Sequence, residues 1–136
     1  MRKFIRFWSP VVLWMIVIFV FSSKTKVALT DSYTISFVIF KTIHIFEYAF
    51  LYLLCYRAFA NTGIKKNRAF IYALLLTICY AATDEWHQRF ITTREGKMRD
   101  VIIDAAGGVS GWIVLVKFLP KMRGRLKRLV KNWQLL

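Results

Sequence analysis

Four apolar stretches, each close to the length that crosses a bilayer, dominate this 136-residue chain and limit what it can fold into. They run FWSPVVLWMIVIFVFSS (residues 7–23), ISFVIFKTIHIFEYAFLYLLCYRAF (35–59), AFIYALLLTICYAATDEW (69–86) and DVIIDAAGGVSGWIVLVKFLP (100–120). A helix needs roughly 20 such residues to cross the hydrocarbon core. Backbone polar groups find no water in lipid, so spanning segments satisfy them internally, as helices or closed barrels. Alternation of period two is missing, which removes the barrel. The pattern predicts an all-α membrane protein: a four-transmembrane-helix bundle over residues 1–120, then a basic amphipathic tail at 121–136.

Composition separates this reading from its rivals. The chain is 57% hydrophobic and 17% aromatic, yet carries a formal net charge of +14. A nucleic-acid binder of that charge would line a polar face with it. Here the Lys and Arg residues fall between apolar runs, and no nucleic-acid partner is expected. Cys55 and Cys79 lie inside apolar runs, fit neither a disulfide framework nor a zinc site, and read as small core residues. The N-terminal MRKFIR and its apolar run imitate a secretory signal, but no small-x-small cleavage site follows, so the segment is expected to stay as the first helix.

Charge then sets direction. Arg2, Lys3 and Arg6 precede the first stretch; Lys65, Lys66 and Arg68 separate the second from the third; Lys121, Arg123, Arg125, Lys127, Arg128 and Lys131 follow the fourth. The positive-inside rule puts both termini and the middle loop in the cytoplasm. The acidic residues Asp31, Glu47, Asp84, Glu85, Glu95, Asp100 and Asp104 all lie in the other two loops or in the spans. Arg89, Arg94, Lys97 and Arg99 on the outer side oppose the rule mildly. In the tail, Met122, Leu126, Leu129, Val130 and Trp133 interleave with the charges, a pattern suited to a helix lying on anionic inner-leaflet lipid.

Ionisable groups within a span are expensive, on the order of 2.5–3.5 kcal/mol each by insertion scales, so they face partners or cavities. In the second stretch, spacings of three and four put Lys41, His44 and Tyr48 on one stripe, with Glu47 flanking His44. In the third, Asp84 and Gln88 share a face, and Glu85 reaches Gln88. In the fourth, Asp100 and Asp104 lie one turn apart, above Gly107, Gly108 and Gly111, whose small-xxx-small spacing lets another backbone approach. Together with Arg94 and Arg99, and with Ser22 and Ser23 at the same level, these groups are expected to form a polar cup open to the outer leaflet.

The order of these pieces resembles the VanZ-like family: FSS ending the first span, K-x-x-H-x-x-E-Y from Lys41 to Tyr48, D-E-x-x-Q from Asp84 to Gln88, then Arg94, then R-D-x-x-x-D from Arg99 to Asp104 followed by glycines. The likeness covers roughly residues 7–117. It implies a small multi-pass protein of the bacterial cytoplasmic membrane, in a family whose founding member is associated with resistance to teicoplanin-type glycopeptides. It does not imply a settled reaction. The loop RFITTREGKMRD departs from the expected pattern, with Gly96 after the arginine, which bears on the loop's shape more than on its side chains.

Three readings stay open at this point. In the first, an intramembrane enzyme acts on a lipid-linked anionic envelope precursor by phosphoryl or glycosyl transfer. There Lys41, Arg94 and Arg99 bind phosphate oxygens, with Tyr48, Gln88, Asp100 and Asp104 lining the substrate. His44, oriented by Glu47, moves the proton, with Asp84 and Glu85 as alternative base or nucleophile. Asp84, Glu85, Asp100 and Asp104 are also the candidate ligands for a divalent metal such as Mg2+. In the second reading the cup binds or carries an anionic lipid; transport would need a homo-oligomer, for which Gly107 and Gly111 are a candidate contact. In the third, the charges only hold the helices together.

Overall fold

The computed structural model describes residues 1–24, 32–91, 94 and 97–135; Asp31, Glu95 and Gly96 lie outside them. Five α-helices follow one another: α1 Arg2–Ser22, α2 Tyr33–Asn61, α3 Lys66–Gln88, α4 Met98–Ile113 and α5 Gly124–Asn132. The described residues contain no strand. Helix α4 runs on through a π-helical turn at Val114–Phe118 and a 3-10 turn at Leu119–Lys121. Pro120 has no N–H to close the preceding α-turn, and the chain unwinds there rather than continuing straight.

Each boundary falls within a few residues of its apolar stretch. The largest differences are at the end of α4, where regular α-helix stops at Ile113 and the π and 3-10 turns continue it, and at α1, which starts at Arg2 and carries Pro10 inside it. Three segments, Arg2–Ser22, Thr34–Asn61 and Met98–Lys121, are long and apolar enough to cross a membrane. Helix α3 is 23 residues long, but Asp84 and Glu85 dilute its apolar run at one end and Lys66 and Arg68 at the other.

Helix α2 is the hub, packed against α1, α3 and α4. Its neighbours approach through small side chains. The buried stripe of α3 is Ala69, Ala73, Thr77 and Ala81 before it turns polar at Asp84, Glu85 and Gln88. That of α4 is Asp100 and Asp104, then Gly107, Gly108 and Gly111. A Cβ on Gly107 would sit 2.7 Å from the Ile45 carbonyl oxygen, and one on Gly111 2.5 Å from that of Ala49. These glycines are thus consumed by α2 of the same chain. The candidate contact between copies at these glycines is taken up within the chain.

The exterior is the apolar part. Leu13, Ile16 and Phe19 on α1, Ile43 and Phe46 on α2, Ile71 and Leu75 on α3, and Ile102, Val109 and Trp112 on α4 are all exposed. A soluble protein of this size rarely shows apolar surface on every face. Cys79 belongs to this exterior, which corrects its reading as a core residue; Cys55 is buried. The tail folds back on the bundle. Arg57 donates to the Trp133 carbonyl and Asn61 to that of Gln134, Leu135 is buried, and Leu126 and Leu129 stay exposed.

A buried charged cluster as the candidate functional site

The C-terminal ends of α1 and α3 meet the N-terminal halves of α2 and α4, and nearly every polar group singled out above gathers there. Three linked sets fill the space. In the first, Ser22 Oγ donates to Asp84 Oδ2 at 2.8 Å and Gln88 Nε2 to the same oxygen at 2.9 Å. Arg94 Nη1 then donates to Gln88 Oε1 at 3.1 Å and Nη2 to the Phe21 carbonyl at 3.0 Å. In the second set, Lys41 Nζ lies 3.3 Å from Asp100 Oδ2 and 3.6 Å from Glu85 Oε1. In the third, His44 Nδ1 lies 3.3 Å from Asp104 Oδ1 and 3.4 Å from Oδ2.

Most of these groups are shut away from the surface. Asp104 is 0% exposed, Asp84, Glu85 and Gln88 2% each, and Lys41, His44 and Asp100 no more than 8%. The expected open cup is therefore a closed cluster. Its depth follows from helix rise: at 1.5 Å per residue, His44 lies roughly 16 Å along α2 from Tyr33 and Asp104 about 9 Å along α4 from Met98.

Several assignments shift. His44 is paired with Asp104, not with Glu47, which turns its half-buried side chain to the wall of a groove between α1 and α2 lined by Trp14, Ile43, Phe46 and Phe50. On a helix, Glu47 at i+3 sits beside His44, but a residue from α4 fills the space in front of the imidazole. Arg99 leaves the cluster: its side chain is 59% exposed, reaching only the Asp100 carboxylate at 3.5 Å and the Phe37 ring at 4.9 Å. The four-carboxylate metal set also divides. Asp84 is taken up by Ser22 and Gln88 and Asp100 by Lys41, while His44, Glu85 and Asp104 each offer a donor atom within 4.8 Å of the others.

The charge balance is lopsided. Asp84, Glu85, Asp100 and Asp104, with Glu47 beside them, face Lys41, Arg94 and, at the rim, Arg99; His44 adds a cation only when protonated. Among the described residues, Glu85 Oε2 is buried with neither hydrogen bond nor ion pair, and the buried Tyr48 hydroxyl faces the Asp84 carboxylate. Burial pulls the Arg94 guanidinium below the ordinary arginine value, opposed by Asp84 and Glu85. Of the three cations expected to bind a phosphate, Lys41 and Arg94 are already committed within the protein.

At the rim lies a contact that single-residue reading missed. Ser23 Oγ is 3.0 Å from His87 Nε2, and the His87 ring lies on Phe19 at 4.4 Å between centroids. The serine hydroxyl donates its proton to the Phe19 carbonyl and so accepts from the imidazole. That direction leaves His87 as a donor, not as the base of a nucleophilic serine.

Apolar outside, charged inside, with helices long enough to cross a bilayer, the chain has the build of a helical membrane protein around an internal polar site. It belongs to the VanZ/LLP1 family, whose family model matches residues 7–119. Neither a curated protein nor a solved structure matches it.

Proposed function

We propose that this protein is an intramembrane enzyme of the bacterial cell envelope, acting on a lipid-linked anionic precursor at the outer face of the cytoplasmic membrane and thereby lowering glycopeptide susceptibility. In this reading α3 joins the three apolar helices as a fourth span. The cationic loops hold both termini inside, and α5 rests on anionic inner-leaflet lipid. The observation that carries the proposal is the buried His44–Asp104 pair beside the Glu85 carboxylate, which meets Lys41 through Oε1 alone among the described residues. Ionisable groups at this depth are retained for function far more readily than for helix packing, since interhelical polar pairs contribute only ~0.6 kcal/mol on average. Asp104 orients the imidazole of His44, His44 transfers the proton, and Glu85 is the second carboxylate of the reaction. Asp84, held by Ser22, Gln88 and Arg94, ties α1 and the outer loop to the cluster. The groove at Trp14, Phe46 and Phe50, with Glu47 in its wall, suits the approach of a lipid chain from the side. A simple anion carrier is the weaker reading, because the cluster holds more carboxylates than cations.

The test uses a glycopeptide-susceptible Gram-positive host producing wild type, His44→Gln or Asp104→Asn at matched membrane levels. Surface binding of labelled teicoplanin and the masses of lipid-linked precursors are measured together. Wild type should lower binding several-fold and shift one precursor, and both variants should abolish the two effects. Variants that act like wild type would reduce the cluster to helix packing.

A further inference from the structure

The cluster is built around a missing positive charge. Its carboxylates outnumber Lys41 and Arg94, and Arg99 stands at the half-exposed rim. Its deeply buried acids are sparsely satisfied among the described residues. Glu85, 2% exposed, has Oε2 with neither hydrogen bond nor ion pair. Asp104, fully buried, has the His44 imidazole as its one hydrogen-bond or ion-pair partner among the described residues. An ionised carboxylate in such a place is costly unless it is paired or coordinates a metal.

Geometry narrows the identity of the missing charge. A charge-assisted hydrogen bond between imidazolium and carboxylate closes to about 2.7–2.9 Å. His44 Nδ1 instead stands 3.3 and 3.4 Å from the two oxygens of Asp104. Two ligands on one tetrahedral ion with bonds of about 2.0–2.1 Å are held about 3.4 Å apart. The donor of Glu85 lies within 4.8 Å of both, so a modest side-chain rotation closes the triangle. Helices α2, α3 and α4 contribute one ligand each, and Gly107 and Gly111 hold α4 hard against α2.

We infer that His44, Glu85 and Asp104 form a binding site for a divalent transition metal ion. One imidazole nitrogen with two carboxylates favours Zn2+ or Mn2+ over Mg2+, which prefers an all-oxygen shell and keeps its waters. The inference rests on the enzymatic reading above for its purpose and revises the roles given there. With a metal in place, His44, Glu85 and Asp104 would act as its ligands instead of as a hydrogen-bonded proton-transfer set. The cation would let a carboxylate-rich cluster accept a phosphate that Lys41 and Arg94 are too committed to hold. Lys41 sits 3.6 Å from Glu85 Oε1 and competes with the metal for that carboxylate. Removing its charge should therefore tighten metal binding, an outcome that a packing role for the lysine does not produce.

The experiment uses full-length protein in detergent, without a histidine tag. Zn2+, Mn2+ and Mg2+ are titrated by calorimetry, Co2+ is followed by its visible spectrum, and thermal unfolding with and without chelator reports folding. Wild type should bind one Zn2+ or Mn2+ and show a Co2+ band of low-symmetry nitrogen–oxygen ligation. His44→Gln and Asp104→Asn should weaken binding roughly 100-fold or more, as expected when one of three ligands is lost. His87→Gln, which removes the other histidine, should leave binding unchanged, and Lys41→Met should strengthen it several-fold. A wild type that binds none of these ions below millimolar, or a folded His44→Gln that binds like wild type, overturns the site. Metal binding by a wild type that fails to alter precursor masses in cells would overturn the enzymatic reading and leave the site standing. Precursor changes that depend on His44 but persist in metal-free membranes would do the reverse.

Discussion

At the scale of single residues, Arg94 shows how much work one loop side chain does. Its Nη1 reaches Gln88, Nη2 the Phe21 carbonyl and Nε the Lys24 carbonyl at 3.2 Å, so a single guanidinium joins the end of α3 to the end of α1. A lysine has the charge but not the planar fork. Arg94→Lys should therefore lose most of what Arg94→Ala loses, about 1–2 kcal/mol of stability in detergent, as measured by thermal unfolding. If lysine restores full stability, only the charge mattered. Of the two loop arginines expected in the cup, Arg94 turns in to Gln88 and the end of α1, whereas Arg99, five residues on, stays at the rim with its side chain 59% exposed, because loop geometry decides which of them turns inward.

At the scale of elements, close approach of α2 and α4 is what lets the cluster form. The two glycines of the small-xxx-small pair were legible, yet their partner was not, since the same spacing serves a neighbour in the chain or a second copy. The structure separates the three glycines by what surrounds them. A methyl on Gly111 would meet the backbone of Ala49, with its carbonyl oxygen at 2.5 Å and Cα at 3.1 Å, whereas one on Gly108 would meet side-chain ends of Thr77 at 3.1 Å and Leu74 at 3.5 Å. Backbone cannot yield as a side chain can. Gly111→Ala should destabilise the bundle by about 1–3 kcal/mol, while Gly108→Ala should stay within about 1 kcal/mol of wild type, helped by the helix preference of alanine. Chemical unfolding in detergent checks both, and equal losses would mean that the α2–α4 contact is looser than these distances require.

At the scale of the whole molecule, α1 and α3 end where α2 and α4 begin, so the acidic cluster collects at one end of the bundle and the basic segments at the other. By the positive-inside rule, the orientation proposed above puts the basic end in the cytoplasm. In a background with Cys55 and Cys79 replaced, Phe90→Cys on intact cells should react with a membrane-impermeant maleimide, and Asn67→Cys should react only after the cells are opened. The opposite result would invert the protein and place the cluster at the cytoplasmic leaflet. Phe90 and Asn67 are both exposed in the structure, so accessibility to the reagent reports sidedness rather than burial.

The sequence by itself determined the helices and which polar groups each helix carries on one face. Apolar length specifies a span through the cost of unsatisfied backbone in lipid, and helical spacing specifies which polar groups share a face, as with Asp84 and Gln88 at 2.9 Å. Only the tertiary structure decided who meets whom across helices. His44 finds Asp104 rather than Glu47, Lys41 divides itself between Asp100 and Glu85, and Arg99 faces outward, because pairing between helices depends on their rotation and separation. Periodicity within one helix carries no information about its neighbour's rotation; the bulk of facing side chains, here Gly107 and Gly111 against the backbone of α2, sets it.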